Sequence, residues 1–288
     1  MPKVPAPRAY LDGLDPDAEA TGRHYADMLA ERIEDEGPES VLAFLVEPIG
    51  GASTGALVSP PGYLERVREI CDEYGILMIL DEVMTGAGRT GAFLGVDHWG
   101  VRPDIVVLSK GIGSGYAPLG AMVADRRLVD PVLDAGGFAH GFTYAGNPLA
   151  CAAGLAVLEE IDRQDLSANA AAMGEKLLAR LGGLMQRHEI IGDVRGKGLL
   201  TAFEFMSDRA TKAPLPKHLN AHQRFVDIAY ERGLIVYSRR TRDGVEGDHI
   251  LVCPPLILNE GHIDEIIEGL DESLVQFAQE IAPAMQAG

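Results

Sequence analysis

The sequence predicts an α/β protein: a large domain on a mostly parallel sheet, then a smaller α+β domain at the C-terminal end. Three observations carry this. Short, almost wholly apolar runs recur at residues 41–46, 76–80 and 105–108, as in strands covered on both faces. A segment with helical spacing lies between the first two, which makes a βαβ unit and hence a parallel sheet. Past about residue 161 the texture changes to more widely spaced strands separated by helices.

The run VLAFLV, residues 41–46, ends at Glu47-Pro48 and a glycine-rich turn. Pro60-Pro61 is placed to open a helix, because a proline in the first turn loses no hydrogen bond. Leu64, Val67, Cys71 and Tyr74 then recur at helical spacing, and Gly75 is a natural stop. The strand at 76–80 closes with Asp81-Glu82, and the one at 105–108 with Ser109-Lys110-Gly111. A fourth is expected at 119–124. Asn147-Pro148 reads as an N-cap followed by proline at the first helical position, opening a helix to about Ile161. A second helix spans 166–184. Beyond it, strands are expected at 199–205, 234–237 and 250–253, and helices at 221–232 and 262–279. This divides the chain into a large domain, residues 1–161, whose first 40 residues form an N-terminal segment, and a small domain, residues 162–288.

The 288 residues carry a net charge of −18. That argues against a nucleic-acid or anionic-membrane partner, since phosphate backbones are held by concentrated Lys and Arg. One small anionic ligand is still compatible, because a single cation and a few N–H groups can hold it. Cys71, Cys151 and Cys253 are odd in number, widely spaced and set in apolar stretches, which reads as buried, reduced thiols. No CxxC pair supports a metal site. The opening MPKVPAPRAY has no apolar run of a signal peptide, and no stretch approaches the ~20 apolar residues of a membrane span. A cytoplasmic location is expected.

Parallel sheets bind ligands beyond the carboxyl ends of their strands. Glu47, Asp81 and Lys110 each follow an apolar strand directly, so neighbouring strand ends could bring them to one small molecule. A partly desolvated lysine there becomes a usable nucleophile. An aspartate across the site could pair with a protonated ring nitrogen. That combination is what pyridoxal phosphate needs. Each residue also has a plain reading: Asp81 as a turn former, Lys110 as an exposed and idle cation, Glu47 as a solvated turn residue. The loop after Lys110 is no dinucleotide fingerprint, for GxGxxG would require glycine where Tyr116 stands, and no GxxxxGK[ST] is present.

Longer blocks narrow this. ILDEVMTGAGRTGAFLGVDHWGVRPDIVVLSKG (residues 79–111) is similar to the central signature of the class III pyridoxal-phosphate-dependent aminotransferases. So are LVEPIGGASTGALVSPPGYLERVREICDEYGI upstream and HGFTYAGNPLACAAGLAVLE downstream, while DVRGKGLLTAFEF and ILVCPPLILNEGHIDEI resemble the family's small domain. The resemblance runs from about residue 41 to the C-terminus. It implies the aspartate-aminotransferase-like architecture (fold type I) and pyridoxal 5'-phosphate as cofactor. It implies transfer of an amino group from an amine or ω/β-amino donor to a keto acceptor.

Carried position by position, the resemblance makes Lys110 the lysine that condenses with the cofactor's aldehyde and Asp81 the partner of its ring nitrogen. Val83 becomes the aliphatic residue on the ring face, and Glu47 part of the polar network. Thr143 becomes a threonine that reaches the phosphate of a second subunit's cofactor, so a homodimer is implied. Two positions depart from the pattern. Leu251 stands where some members that handle α-carboxylates carry arginine, and Met84 where several carry glutamine. Arg239, Arg240 and Arg242 read as a solvated loop rather than a substitute carboxylate clamp. Residues 1–40 match neither the family's Gly/Ser phosphate loop nor its ring-stacking aromatic. The chain therefore reads as the latter part of such an enzyme, with a partial large domain. Other pyridoxal-phosphate chemistry (aminomutase, racemase, decarboxylase) and a non-catalytic fragment or partner subunit are the competing readings.

Overall fold

A computed structural model describes residues 1–242 and 244–286. Internal contacts divide the chain into two units. The first comprises Met1–Pro48, Ser59–Gly88 and Ala92–Asp165. The second comprises Ile49–Val58, Arg89–Gly91 and the chain from Leu166 on. The division expected after residue 161 falls within the last helix of the first unit, and two short upstream segments belong to the second.

The first unit contains helices α1 (Ala9–Asp12) and α2 (Glu19–Glu36), strand β1 (Ala43–Val46), helix α3 (Tyr63–Tyr74) and strands β2 (Leu77–Asp81), β3 (Ile105–Leu108) and β4 (Ala121–Ala124). Helices α4 (Arg126–Asp134) and α5 (Pro148–Arg163) complete it. The sheet order is β1-β2-β3-β4, parallel as far as β3, with β4 antiparallel to β3. This is the mostly parallel sheet that the apolar runs predicted. Tyr25, Ala26, Leu29 and Ile33 of α2 bury one face in the same core as Leu64, Val67 and Ile70 of α3 and Met78 and Leu80 of β2.

Helix α3 begins at Tyr63, so Pro60-Pro61 lie ahead of it rather than in its first turn. The cause is Gly62, whose φ of 78° is left-handed and cannot continue back into a helix. At the other end Gly75, with φ 67°, donates its N–H to the Asp72 carbonyl, Ile76 donates to the Cys71 carbonyl, and the helix stops as expected. Asn147 caps α5 as read, its Oδ1 accepting from the N–H groups of Leu149 and Ala150. Helix α2, not foreseen, approaches the prolines closely. A Cβ on Gly22 would lie 2.0 Å from the Pro61 carbonyl oxygen, so that crossing demands glycine.

The second unit contains helix α6 (Leu166–Arg187), strands β5 (Ile191–Lys197), β6 (Leu200–Asp208) and β7 (Ala213–Pro214), helix α7 (Ala221–Glu231), strands β8 (Tyr237–Arg242) and β9 (Glu246–Val252), and helix α8 (Glu260–Gln286). Its sheet is antiparallel, in the order β5-β6-β9-β8 with β7 on β6. Phe203 and Phe205, two apart on β6 and hence on one face, join Phe225 of α7 and Phe277 of α8 with ring centroids 5.0–5.7 Å apart. Edge-to-face contacts of this kind add to plain area burial. Leu177, Leu181, Leu270 and Leu274 close the core.

Two expectations change here. The strand anticipated at 234–237 is displaced to Tyr237–Arg242, so Arg239, Arg240 and Arg242 stand on a strand and not in a loop, and Arg240 pairs with buried Asp248. Of the cysteines, Cys71 is buried, whereas Cys151 and Cys253 are exposed. Among the described residues no helix is long and apolar enough to cross a membrane.

Candidate functional site

The first unit presents its chemistry at one end of its parallel strands. Val46 of β1 is in register with Leu80 of β2, so Glu47, the next residue, stands level with Asp81 on the neighbouring strand. Adjacent strands lie about 4.8 Å apart. Asp81 is itself in register with Val107 of β3, and the chain leaves β3 through Ser109 to Lys110. The fold thus brings Glu47, Asp81 and Lys110 to the same end of the parallel strands. Val83 follows in the turn after β2. Its N–H donates to Asp81 Oδ1 at 3.0 Å, which holds that carboxylate against the turn.

Lys110 is exposed in this chain, so the desolvation expected around its amine is not provided by the residues described. Its backbone is unusual, with φ of 42°. A left-handed conformation is rarely adopted outside glycine, asparagine and aspartate and costs energy for other residues. The surrounding loop holds it there. Ser109 is extended, its hydroxyl donates to the Leu119 carbonyl at 2.9 Å, and a short 3-10 turn runs from Lys110 to Ile112. Gly113 fits because a Cβ would come within 2.7 Å of the Ala117 carbonyl oxygen.

Thr143 is not on this edge. It lies in the exposed stretch ahead of α5, with φ of 31°, beside exposed Phe142 and Tyr144. Leu251 is confirmed as a buried, apolar occupant of β9 and brings no charge.

Sequence reasoning passed over Glu82. It is fully buried. Its Oε1 accepts the N–H of Val96 at 2.8 Å, and its Oε2 accepts the N–H of Gly95 at 2.8 Å and the hydroxyl of Thr85. Burial raises its carboxyl above the usual range, against the pull of those three donors. The only sequence signal was the Asp-Glu pair closing a strand, which by itself reads as a turn.

A family model described as "Aminotransferase class-III" matches residues 1–274. The likeness therefore reaches to the first residue, and does not begin near residue 41 as the motifs alone suggested. The chain is 37% identical over 277 residues to an "Uncharacterized aminotransferase", YodT, of Bacillus subtilis, spanning 95% of this chain and 62% of that protein. It is 42% identical over 265 residues to a taurine–pyruvate aminotransferase of Bilophila wadsworthia, spanning 90% of this chain and 57% of that one. Among solved structures, a transaminase from the marine bacterium Virgibacillus superposes with a TM-score of 0.86 at 37% identity over 90% of this chain and 58% of its own. A thermostable omega transaminase from Pseudomonas jessenii gives 0.88 at 34% identity, over 98% and 62%. The chain spans about six-tenths of these relatives' length, and on the family model that matches most of it and the relatives that share more than a third of its residues, it belongs to the class III aminotransferase family.

Proposed function

We propose that this chain carries the lysine-bearing part of a pyridoxal-phosphate-dependent transaminase. The enzyme moves an amino group from an amine or ω/β-amino donor to a keto acceptor. The observation that carries the reading is the juxtaposition of Asp81 and Lys110 at the ends of two paired parallel strands, β2 and β3. The donor set suits the cofactor chemically. A primary amine on a strained, exposed residue can condense with an aldehyde, and a carboxylate braced by the Val83 N–H can face a protonated ring nitrogen. Bound there, pyridoxal phosphate would supply an electron sink for the carbanion formed at the substrate carbon.

The chain's own residues do the rest. Lys110 would serve as the general base toward the proton on the carbon that bears nitrogen, and as the acid that delivers that proton again. Asp81 would hold negative charge beside the ring nitrogen and so keep it protonated. Val83, half-buried after β2, offers an aliphatic surface to the ring face. Glu47 contributes a second carboxylate level with Asp81. Thr143 serves the phosphate of a second subunit's cofactor, which makes the working unit a homodimer. The exposed position of its segment is compatible with such a contact. Leu251, in the place of a carboxylate-binding arginine, favours donors whose amine is not α to a carboxylate. Taurine and pyruvate, the substrates in the name of one relative, and the omega transaminases among the solved structures agree with that class. The three cysteines, which form no disulfide, agree with a cytoplasmic enzyme.

The test is a visible absorption spectrum of the protein with added pyridoxal phosphate, beside Lys110→Ala. A band that requires Lys110 is the expected result, with turnover of amine donor abolished in the variant. A band and turnover indifferent to that substitution would overturn the assignment.

A further inference from the structure

Glu82 has no part in the chemistry just proposed, yet it is a fully enclosed ionisable group at the strand-end edge. It receives two main-chain N–H groups and a hydroxyl, and among the described residues no ion pair. Its own main chain is engaged as well. Its N–H donates to the Val107 carbonyl of β3 at 2.9 Å, and its carbonyl accepts from Gly86 N–H at 2.9 Å. The turn is built tightly around it. A Cβ on Gly95 would lie 2.8 Å from Thr85 Cβ and 3.0 Å from Glu82 Oε2. One on Gly86 would lie 2.5 Å from Leu108 Cδ2 and 2.8 Å from the Glu82 carbonyl oxygen. An apolar side chain would fill such a space at less desolvation cost than an unpaired carboxylate. What an apolar side chain cannot do is bind residues 85, 95 and 96 to one point with directional bonds.

That point lies between Asp81 and Val83 in the chain. We infer that Glu82 is a positioning residue: by tying Thr85, Gly95 and Val96 to the residue between them, it fixes the direction in which Asp81 and Val83 meet the cofactor. The inference rests on the cofactor reading of this edge. It also explains why a carboxylate is needed. All three partners donate, so both oxygens must accept. An amide of the same shape turns its NH2 toward a donor and breaks one arm of the tie.

The experiment compares the full polypeptide with Glu82→Gln, with Lys110→Ala as the reference for cofactor attachment and pyridoxal phosphate as the probe. Hydrogen exchange at the Gly95 and Val96 amides is read without cofactor, and the pH midpoint of the Lys110-dependent visible band with it. The expected result is exchange faster by about tenfold at those amides in Glu82→Gln, with the band midpoint displaced by about half a pH unit or more because Asp81 no longer meets the ring squarely. Faster exchange with an unmoved midpoint makes Glu82 a structural residue only and overturns the inference. Unchanged exchange overturns it too. If Glu82→Gln does not fold, Thr85→Val, which removes one arm, is read by the same two measurements. Absence of any Lys110-dependent band in the unaltered protein sinks the cofactor reading and this inference together. A normal band that no variant shifts sinks the inference alone.

Discussion

The two units solve the problem of burial differently. The second closes its core with its own residues: four phenylalanines in mutual contact, flanked by leucines from α6 and α8, on a sheet whose strand β6 is buried along most of its length. The first buries α2, α3 and β2 well, but β4 is exposed over its first three residues, with Met122 60% and Val123 54% accessible, and β1 exposes Leu45. All the candidate site residues lie on the less enclosed unit. The lesson is a difference in enclosure: the second unit covers its aromatic core with its own elements, whereas the proposed site residues sit on the first, where exposed surface remains for ligand or protein contact.

Truncating a buried ring is the strongest way to break this comparison. Phe225→Ala should lower the second unit's unfolding free energy by about 3–5 kcal/mol, measured by denaturant titration, since Phe225 touches Phe203, Phe205 and Phe277. Met122→Ala on exposed β4 should stay within about 0.5 kcal/mol. Comparable losses at the two sites would mean that the units do not differ in the way described.

Acid sharpens the difference. His249 is fully buried, and desolvation together with the charge of Arg195 lowers its pKa from 6.5 to about 3. A depressed folded value means that the unfolded chain takes up the proton first. Stability is therefore intact above pH 6.5 and falls as pH drops from there toward 3, by about 1.4 kcal/mol per pH unit at most. Replacement by Phe should flatten that slope in pH-dependent denaturant titrations of the second unit; an unchanged slope would remove His249 as its cause.

A buried carboxylate of the first unit responds over a different range. Asp104 accepts the Met78 N–H at 2.8 Å and pairs with Arg68 and Arg127. Against the opposing cost of desolvation, those donors hold its carboxyl below the ordinary 3.8. Its contribution is present above 3.8 and lost below that value. Asp104→Asn should cost the first unit about 1–3 kcal/mol at neutral pH, read from the unfolding of that unit. A loss in the second unit instead would contradict the assignment of Asp104 to the first.

Much of this was legible in the sequence, for identifiable reasons. Strands rich in apolar residues write continuous apolar runs, so β1, β2 and β3 could be read, and with them the polar residues at or just past their ends: Glu47, Asp81 and Lys110. Strand β5 could not be read, because its IGDVRGK is polar and glycine-rich. Gly192 is needed only because Met206 packs over it, with a Cβ falling 2.2 Å from the sulfur. Helix α2 is polar around most of its circumference and shows only a narrow stripe. The burial of Glu82 was hidden for a deeper reason. Two of its three partners are main-chain N–H groups at residues 95 and 96, which every sequence possesses, so nothing in side-chain identity announces them. The left-handed backbone of Lys110 was hidden likewise, since it is imposed by the closure of the 109–119 loop and not by lysine.

The smallest effect bears on what does not hold the second unit together. Lys176 pairs with Glu260, Arg180 with Asp264 and Arg187 with Asp271, each across the same separation of 84 residues. The constant separation means that α6 and α8 run in the same direction with matched faces. All three pairs are solvent-accessible, Arg180 and Asp264 at 50% and 65%. Exposed pairs are screened by salt and must overcome the entropy of two long side chains. Arg180→Ala should therefore cost below about 1 kcal/mol at low salt and nothing measurable near 1 M salt. A loss above about 2 kcal/mol that survives salt would show the ladder acting as a coupled network. The second unit's stability would then rest on its surface as well as on its phenylalanine core, and the contrast between the units would be one of charge pairing as much as of packing.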